Sequence, residues 1–394
     1  MDESGVLNKK LKENYRSLFN QQWSPLTGGI LLGLLSILIL AWSRPWGIVG
    51  GIRNWADWLF YLIGVFPEKP NNPFFYSSSI MDIGLIMGAF ASALAAKEFA
   101  LRIPPKIEMI KGFAGGLLMG AGSSLAIGCN VGAFYSPLIN LSANGFPMMA
   151  GLIIGSYIGL RYLLWELEKF PPETTGFFSA EKTEKRFDWK RLQPYVGFTV
   201  FIALIAWAYL YSSLAYTELG GLLLFGTAFG IIIQRCRFCF VRAFRDPFMT
   251  GEATMTKAVA VSIIIGSIGA AILKWNGFRS EFAYVVPTFW WGAMAGGFFF
   301  GIGMVIAGGC GSGTLWRAAE GQLKLWIALF SFATSNSIIT ALLRNHGWRS
   351  KLGSSIFLPD IFGWGGSLFL IAFILLLWHV ILSWNEETNK FTLM

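Results

Sequence analysis

Charge is scarce in this sequence. Asp, Glu, Lys and Arg together make up 13% of its 394 residues, about half of the roughly 25% usual in soluble globular domains. A chain this poor in charge cannot clothe a water-facing surface of its size, which excludes a soluble enzyme or binding module. Histidine is nearly missing, with His346 and His379 as the two present, and cysteine occurs four times, at Cys129, Cys236, Cys239 and Cys310. Four cysteines in or beside apolar segments do not make the disulfide framework of a secreted domain. A single C-x-x-C without a second ligand pair does not make a zinc site, so no metal or other cofactor is expected. A cleavable signal peptide is not expected either. Residues 1–24 are polar and of mixed charge, and the apolar run behind them lacks a small-residue cleavage site.

Apolar length is what the chain has in quantity. Hydrophobic residues make up 54% of it. Runs such as "LTGGILLGLLSILILAW" (26–42) and "GGSLFLIAFILLLWHVILSW" (365–384) are long enough to cross a bilayer. The expected class is an all-α, polytopic membrane protein, multi-pass in a bacterial-type cell (inner) membrane. The formal net charge is +9, yet the basic residues form no nucleic-acid-binding face. They cluster in short loops: Lys97, Arg102, Lys106 and Lys111; Lys182, Lys185, Arg186, Lys190 and Arg191; Arg235, Arg237, Arg242 and Arg245; Arg344, Arg349 and Lys351. The positive-inside bias accounts for such loops. Attraction of a small anionic substrate is the competing use of the same charges.

The chain also repeats itself. "AGGLLMGAGSSLAIGCNVG" (114–132) aligns without a gap on "AGGFFFGIGMVIAGGCGSG" (295–313), and nine of nineteen positions are identical, Cys129 with Cys310 among them. Apolar bias explains matched glycines but not matched cysteines, so this is an internal duplication. The expected organisation is a polar segment at 1–25, a first membrane repeat at 26–164 and a charged, proline-containing linker at 165–194. A second repeat at 195–384 and a tail at 385–394 follow. Duplicated membrane proteins of this kind place interrupted helices near the bilayer midplane. Non-helical backbone survives in lipid only when buried in protein or lining a cavity. A helix that stops at "GCNVG" or "GCGSG" and restarts turns amide groups and a positive helix end toward such a cavity, an arrangement suited to anions. Close helix packing through small residues is the structural alternative. The upstream glycines are read as packing, and the Gly-Cys turns as the site.

A third cysteine element, "GIIIQRCRFCFVRAFRDPFMTGEA" (230–253), lies in the second half. Cys236 and Cys239 are three apart and would share a face if helical, and a C-x-x-C can be a redox pair. Arg242 and Arg245 beside Asp246 read as helix-end ion pairs or as anion attraction. Arg317 and Glu320 form an i, i+3 pair after the second turn.

The motifs "GSSLAIGCN" (122–130), "RFCFVRAFRDPFMTG" (237–251) and "GGCGSGTLWRAAEGQ" (308–322) resemble the YeeE/YedE family of sulfur-compound transporters, most closely its YedE branch, over roughly residues 28–384. The resemblance implies a duplicated, inverted-repeat helical fold with re-entrant helices. It also implies uptake of thiosulfate past protein thiols that contact it in succession. On these motifs the thiols map onto Cys129, Cys239 and Cys310, while Cys236 falls where the family needs no cysteine. The branch is associated with selenium metabolism and with small TusA-type sulfurtransferases. No such domain is fused here, so that partner would be a separate protein.

Thiosulfate carries one large, soft, weakly hydrated terminal sulfur that sulfate lacks. A thiol, weak both as donor and as acceptor, holds such a group loosely enough for onward passage. The expected site is therefore Cys129, Cys239 and Cys310, with backbone and polar groups at Gly128, Asn130, Gly309, Gly311 and Ser312. Arg242, Arg245 and Arg317 are candidates for anion attraction. The competing reading is a membrane thiol–disulfide oxidoreductase that relays electrons through paired cysteines, which would join Cys129 to Cys310 on oxidation.

Overall fold

A computed structural model of the chain describes residues 9–10, 13–169 and 189–393. In chain order its helices are α1 (Pro25–Trp42), α2 (Val49–Leu62), α3 (Ser77–Ala95), α4 (Lys106–Leu125), α5 (Ser136–Ile139), α6 (Gly145–Lys169) and α7 (Trp189–Ser213). There follow α8 (Thr217–Arg235), α9 (Phe240–Met249), α10 (Thr254–Trp275), α11 (Trp291–Ala307), α12 (Gly311–Ala319), α13 (Leu323–Asn345) and α14 (Pro359–Thr388). The described residues form no strand beyond isolated bridges, so the protein is an all-α membrane protein as its composition requires. Among the described residues, ten apolar helical segments are long enough to span a bilayer.

Four of those ten segments are interrupted: α14 kinks at Gly363 (φ 66°), and the other three each break at a cysteine. α4 stops before Cys129 and resumes as a π-helical turn (Asn130–Tyr135) and α5. α8 stops before Cys239 and resumes as α9, and α11 stops before Cys310 and resumes as α12. The C-x-x-C therefore does not lie on one helix face. Cys236 caps the end of α8, Cys239 caps the start of α9, and Arg237 between them takes a left-handed φ of 50°. The turn separates the two thiols, and Cys236 packs against Gly28 at the start of α1, where an added Cβ would come 2.7 Å from its sulfur.

The most extensive helix pairings all join the two parts of the chain: α6 with α11, α3 with α8, α4 with both α13 and α11, and α1 with α10. Glycine permits these approaches. A Cβ on Gly115 would come 2.6 Å from the Gly303 carbonyl oxygen, and one on Gly122 would come 2.5 Å from that of Gly296. Bare backbones thus meet along α4 and α11, the packing that small residues allow between membrane helices.

Of the expected linker, residues 170–188 lie outside the described residues. At its edges α6 runs to Lys169 and α7 begins at Trp189. α14 continues to Thr388, into the expected tail. The fully buried Lys274 near the end of α10 donates to the carbonyls of Asn140, Glu281 and Ala283 at 2.9, 3.0 and 2.8 Å. Three acceptors satisfy the ammonium that burial strips of water, and they pin the 281–284 loop, with Tyr284, over the first cysteine turn.

Candidate functional site

Cys129, Cys239 and Cys310 each sit in the same backbone arrangement. A helix ends, one residue turns left-handed (Ile127 at φ 56°, Arg237 at 50°, Gly308 at 78°), and two positions later an extended cysteine is the N-cap of the next helix. A β-branched residue such as Ile127 seldom takes this conformation, so the first turn is held against backbone preference by the packing around it. The cap position uses sulfur where serine or aspartate is usual. The Gly313 amide donates to Cys310 Sγ at 3.3 Å. Cys129 and Cys239 hold the same N-cap position without a capping hydrogen bond to sulfur, with the amides of Val131 and Gly132 near the first and those of Val241 and Arg242 near the second. All three thiols are fully buried.

The first turn of α12 brings them together. A Cβ on Gly311 would lie 3.0 Å from Cys129 Sγ. One on Gly313 would lie 3.1 Å from Cys310 Sγ and 3.6 Å from Cys239 Sγ. The thiols of Cys239 and Cys310 are therefore neighbours, both within contact distance of one methyl carbon placed at Gly313. Asn130 Oδ1 accepts from the Gly311 amide at 3.4 Å, while its Nδ2, also buried, finds no partner. Asn130 and Gly311 are equivalent positions of the sequence repeat, so the two copies touch each other at the site. Ser312 Oγ is 3.5 Å from Cys310 Sγ. Gly128 packs against Gly132 of its own turn, and Gly309 faces Leu325 and Thr314 rather than a thiol.

The three arginines are differently placed. Arg242 Nε meets Asp246 at 2.9 Å and its Nη2 meets Glu252 at 3.2 Å, while Arg245 meets Asp246 at 2.7 Å. Arg317 does not pair with Glu320. It donates to the Gly308 carbonyl at 2.7 Å and stacks over Trp316. Glu320 turns instead to Arg237 at 2.9 Å and Gln234 at 2.8 Å, and Arg237 also meets Glu98 at 3.0 Å. This network ties the ends of α3, α8 and α12 together beneath the Cys239–Cys310 pair.

A cavity of about 350 Å³ opens on the side of Cys129. Gly128 and Gly132, which flank that cysteine, are part of its wall, and so are Arg44, Arg53, Arg349 and Tyr284. Arg44 donates to Ser77 at 3.1 Å and Ser78 at 2.5 Å rather than to a carboxylate. Burial, with the like charges of Arg53 and Arg344, pulls the Arg349 pKa down, a crowding of positive charge that an anion would relieve. Burial also pushes the Tyr284 phenol up to about 12, so its hydroxyl stays neutral beside Gly132. Sequence reasoning missed this cavity because its residues come from five separate stretches. The legible sign was Arg44 and Arg53 bracketing a glycine-rich apolar segment too short to cross a bilayer.

The profile of the sulphur-transport family matches residues 3–158 and 235–393. The chain belongs to this family. It is 31% identical over 315 residues to the probable transporter YedE of Escherichia coli, covering 77% of each chain. It is also 37% identical over 117 residues to the thiosulfate transporter TsuA of Escherichia coli, covering 30% of this chain and 33% of the relative. The TsuA of Spirochaeta thermophila is 38% identical over 106 residues, covering 27% and 32%. The protein is a multi-pass membrane transporter of sulfur compounds and not an enzyme.

Proposed function

We propose that the protein takes up thiosulfate, or a closely related sulfur or selenium oxyanion, along a path lined by Cys129, Cys239 and Cys310. The observation that carries this reading is the meeting of three N-cap thiols around the first turn of α12, inside membrane-spanning segments. The cavity walled by Arg44, Arg53 and Arg349 gathers the dianion. Cys129, buried behind the wall glycines Gly128 and Gly132, receives the soft terminal sulfur, and the Cys310–Cys239 pair takes it next. The positive ends of the helices that begin at these cysteines attract the oxygens. The duplicated halves lie inverted across an inner membrane, split near the 165–194 segment. A separate TusA-type sulfurtransferase is the fitting acceptor on the inner side.

What disfavours electron relay is that Cys310 meets Cys239 and not its repeat mate Cys129. The deciding experiment is uptake of labelled thiosulfate into liposomes holding the purified protein, with sulfate and selenite as competitors and Cys310→Ala as control. Saturable uptake that sulfate leaves intact and Cys310→Ala abolishes is expected. Uptake indifferent to Cys310 overturns the thiol path. A Cys129–Cys310 disulfide that forms and is reduced reversibly would favour the oxidoreductase.

A further inference from the structure

Asp82 sits in the second turn of α3, inside a membrane span, and is fully buried. The other buried acids are partnered: Glu166 with Lys111, Asp246 with Arg242 and Arg245, and Glu320 with Arg237. Neither carboxylate oxygen of Asp82 completes a hydrogen bond. A carboxylate left so in a low-dielectric interior is costly, and ionisable groups kept inside membrane spans mark ion or proton pathways.

Its surroundings tie it to the cavity. Asp82 lies one helical turn beyond Ser78, which lines the cavity and accepts from Arg44. It faces the first turn of α2 at Gly51 and the Ile52 amide, directly behind the Ile48–Gly50 stretch of the cavity wall. The charged or titratable groups acting on it are Arg44, from the loop before α2, and Cys129, from the turn after α4. From α8, the Leu223 carbonyl and the backbone of Gly226 and Thr227 pack on α3 at Gly84 and Gly88. Tyr284 stands beyond, acting with Arg44 and Cys129.

We propose that Asp82 is the proton-binding site that couples anion uptake to proton entry. The proposal rests on the anion-uptake reading above and adds its driving ion. Burial favours a neutral Asp82 and the Arg44 charge opposes it, so the proton on this carboxyl is set by the balance between the two. When a dianion settles against Arg44, that charge is compensated and Asp82 takes up a proton from the cavity side. By linkage, the proton strengthens anion binding by the same factor. The proton leaves on the inner side as the anion does. Every negative charge moved inward works against a negative-inside membrane potential, so an accompanying proton lightens that load.

The test is labelled thiosulfate uptake into liposomes with and without an inward proton gradient, with an entrapped pH dye, in the wild type and in the near-isosteric Asp82→Asn. With one proton coupled per anion, wild-type accumulation should rise about tenfold per unit of pH difference, and thiosulfate entry should acidify the lumen. Asp82→Asn should keep downhill entry and thiosulfate exchange but lose both the gradient response and the acidification. Wild-type uptake without acidification overturns the proposal, as does a gradient response that survives in Asp82→Asn. Absence of thiosulfate uptake under every condition takes down the transport reading and this one with it, an outcome distinct from uncoupled uptake.

Discussion

Replacing Gly313 with alanine separates passage from folding. The added methyl carbon would stand 3.1 Å from Cys310 Sγ and 3.6 Å from Cys239 Sγ, in the gap between the two thiols. Gly313 lies inside α12, where alanine gains about 1 kcal/mol over glycine in helix propensity. A few tenths of an ångström of movement by one thiol costs a similar amount, so the folded protein should be as stable as wild type within about 1 kcal/mol. An anion that must pass between the sulfurs has no such freedom. Overpacking of about 1–3 kcal/mol, felt at the constriction, corresponds to uptake slowed roughly 5- to 150-fold. The assay is initial-rate thiosulfate uptake in proteoliposomes, paired with thermal unfolding in detergent to establish that the fold is intact. A folded Gly313→Ala protein transporting at the wild-type rate would refute the idea that substrate passes this pair.

Cys129→Ala and Cys310→Ala should abolish uptake, and Cys310→Ser should retain part of it through its hydroxyl. Cys236→Ala should transport normally and lose about 1 kcal/mol or less of stability, since Cys236 packs on Gly28 away from the other thiols; a dead Cys236→Ala would revive the redox pair. Gly122→Ala sets a Cβ 2.5 Å from the Gly296 carbonyl, backbone against backbone, and should lower stability by about 1–3 kcal/mol, read as a reduced thermal midpoint. Arg349→Gln should raise the KM for thiosulfate about fivefold, matching a screened charge contact of about 1 kcal/mol, with the maximal rate unchanged. A changed maximal rate at constant KM would remove Arg349 from the capture step.

Much of the site was legible because it is local. The Gly-Cys turns announce themselves through the repeat, and the third element through its arginines, since a helix break leaves a compositional trace in an apolar span. What periodicity could not supply was the break between Cys236 and Cys239. Neither glycine nor proline lies between them, and the left-handed residue there is Arg237. The destination of Glu320 was equally hidden. Its sequence neighbour Arg317 turns to a backbone carbonyl, and its partner Arg237 comes from 83 positions away. Asp82 was readable as the one acidic residue in "SSSIMDIGLIMGAFASALA" (77–95), but its lack of partners is a property of the packed fold.

The placement of charge gives the proposed path its logic. A conduit that bound the dianion tightly throughout would hold it, and one without positive charge would not gather it. Around the thiols the cations are already engaged, Arg242 and Arg245 by Asp246 and Arg317 by the Gly308 carbonyl. In the cavity, Arg44 meets hydroxyls and Arg349 is crowded by other arginines. Unspent charge therefore stands where capture needs it, and weak thiol and amide donors stand where release needs them. Selectivity over sulfate then belongs to the narrow part, because a cluster of arginines attracts both dianions alike while a sulfur-lined gap favours the softer one. If that division is right, Arg349→Gln should weaken thiosulfate uptake and competition by sulfate together. Cys129→Ser should instead change their ratio, moving preference toward sulfate as a harder hydroxyl replaces the thiol. Equal ratios in both variants would place discrimination in the cavity and leave the thiols without the role argued for them.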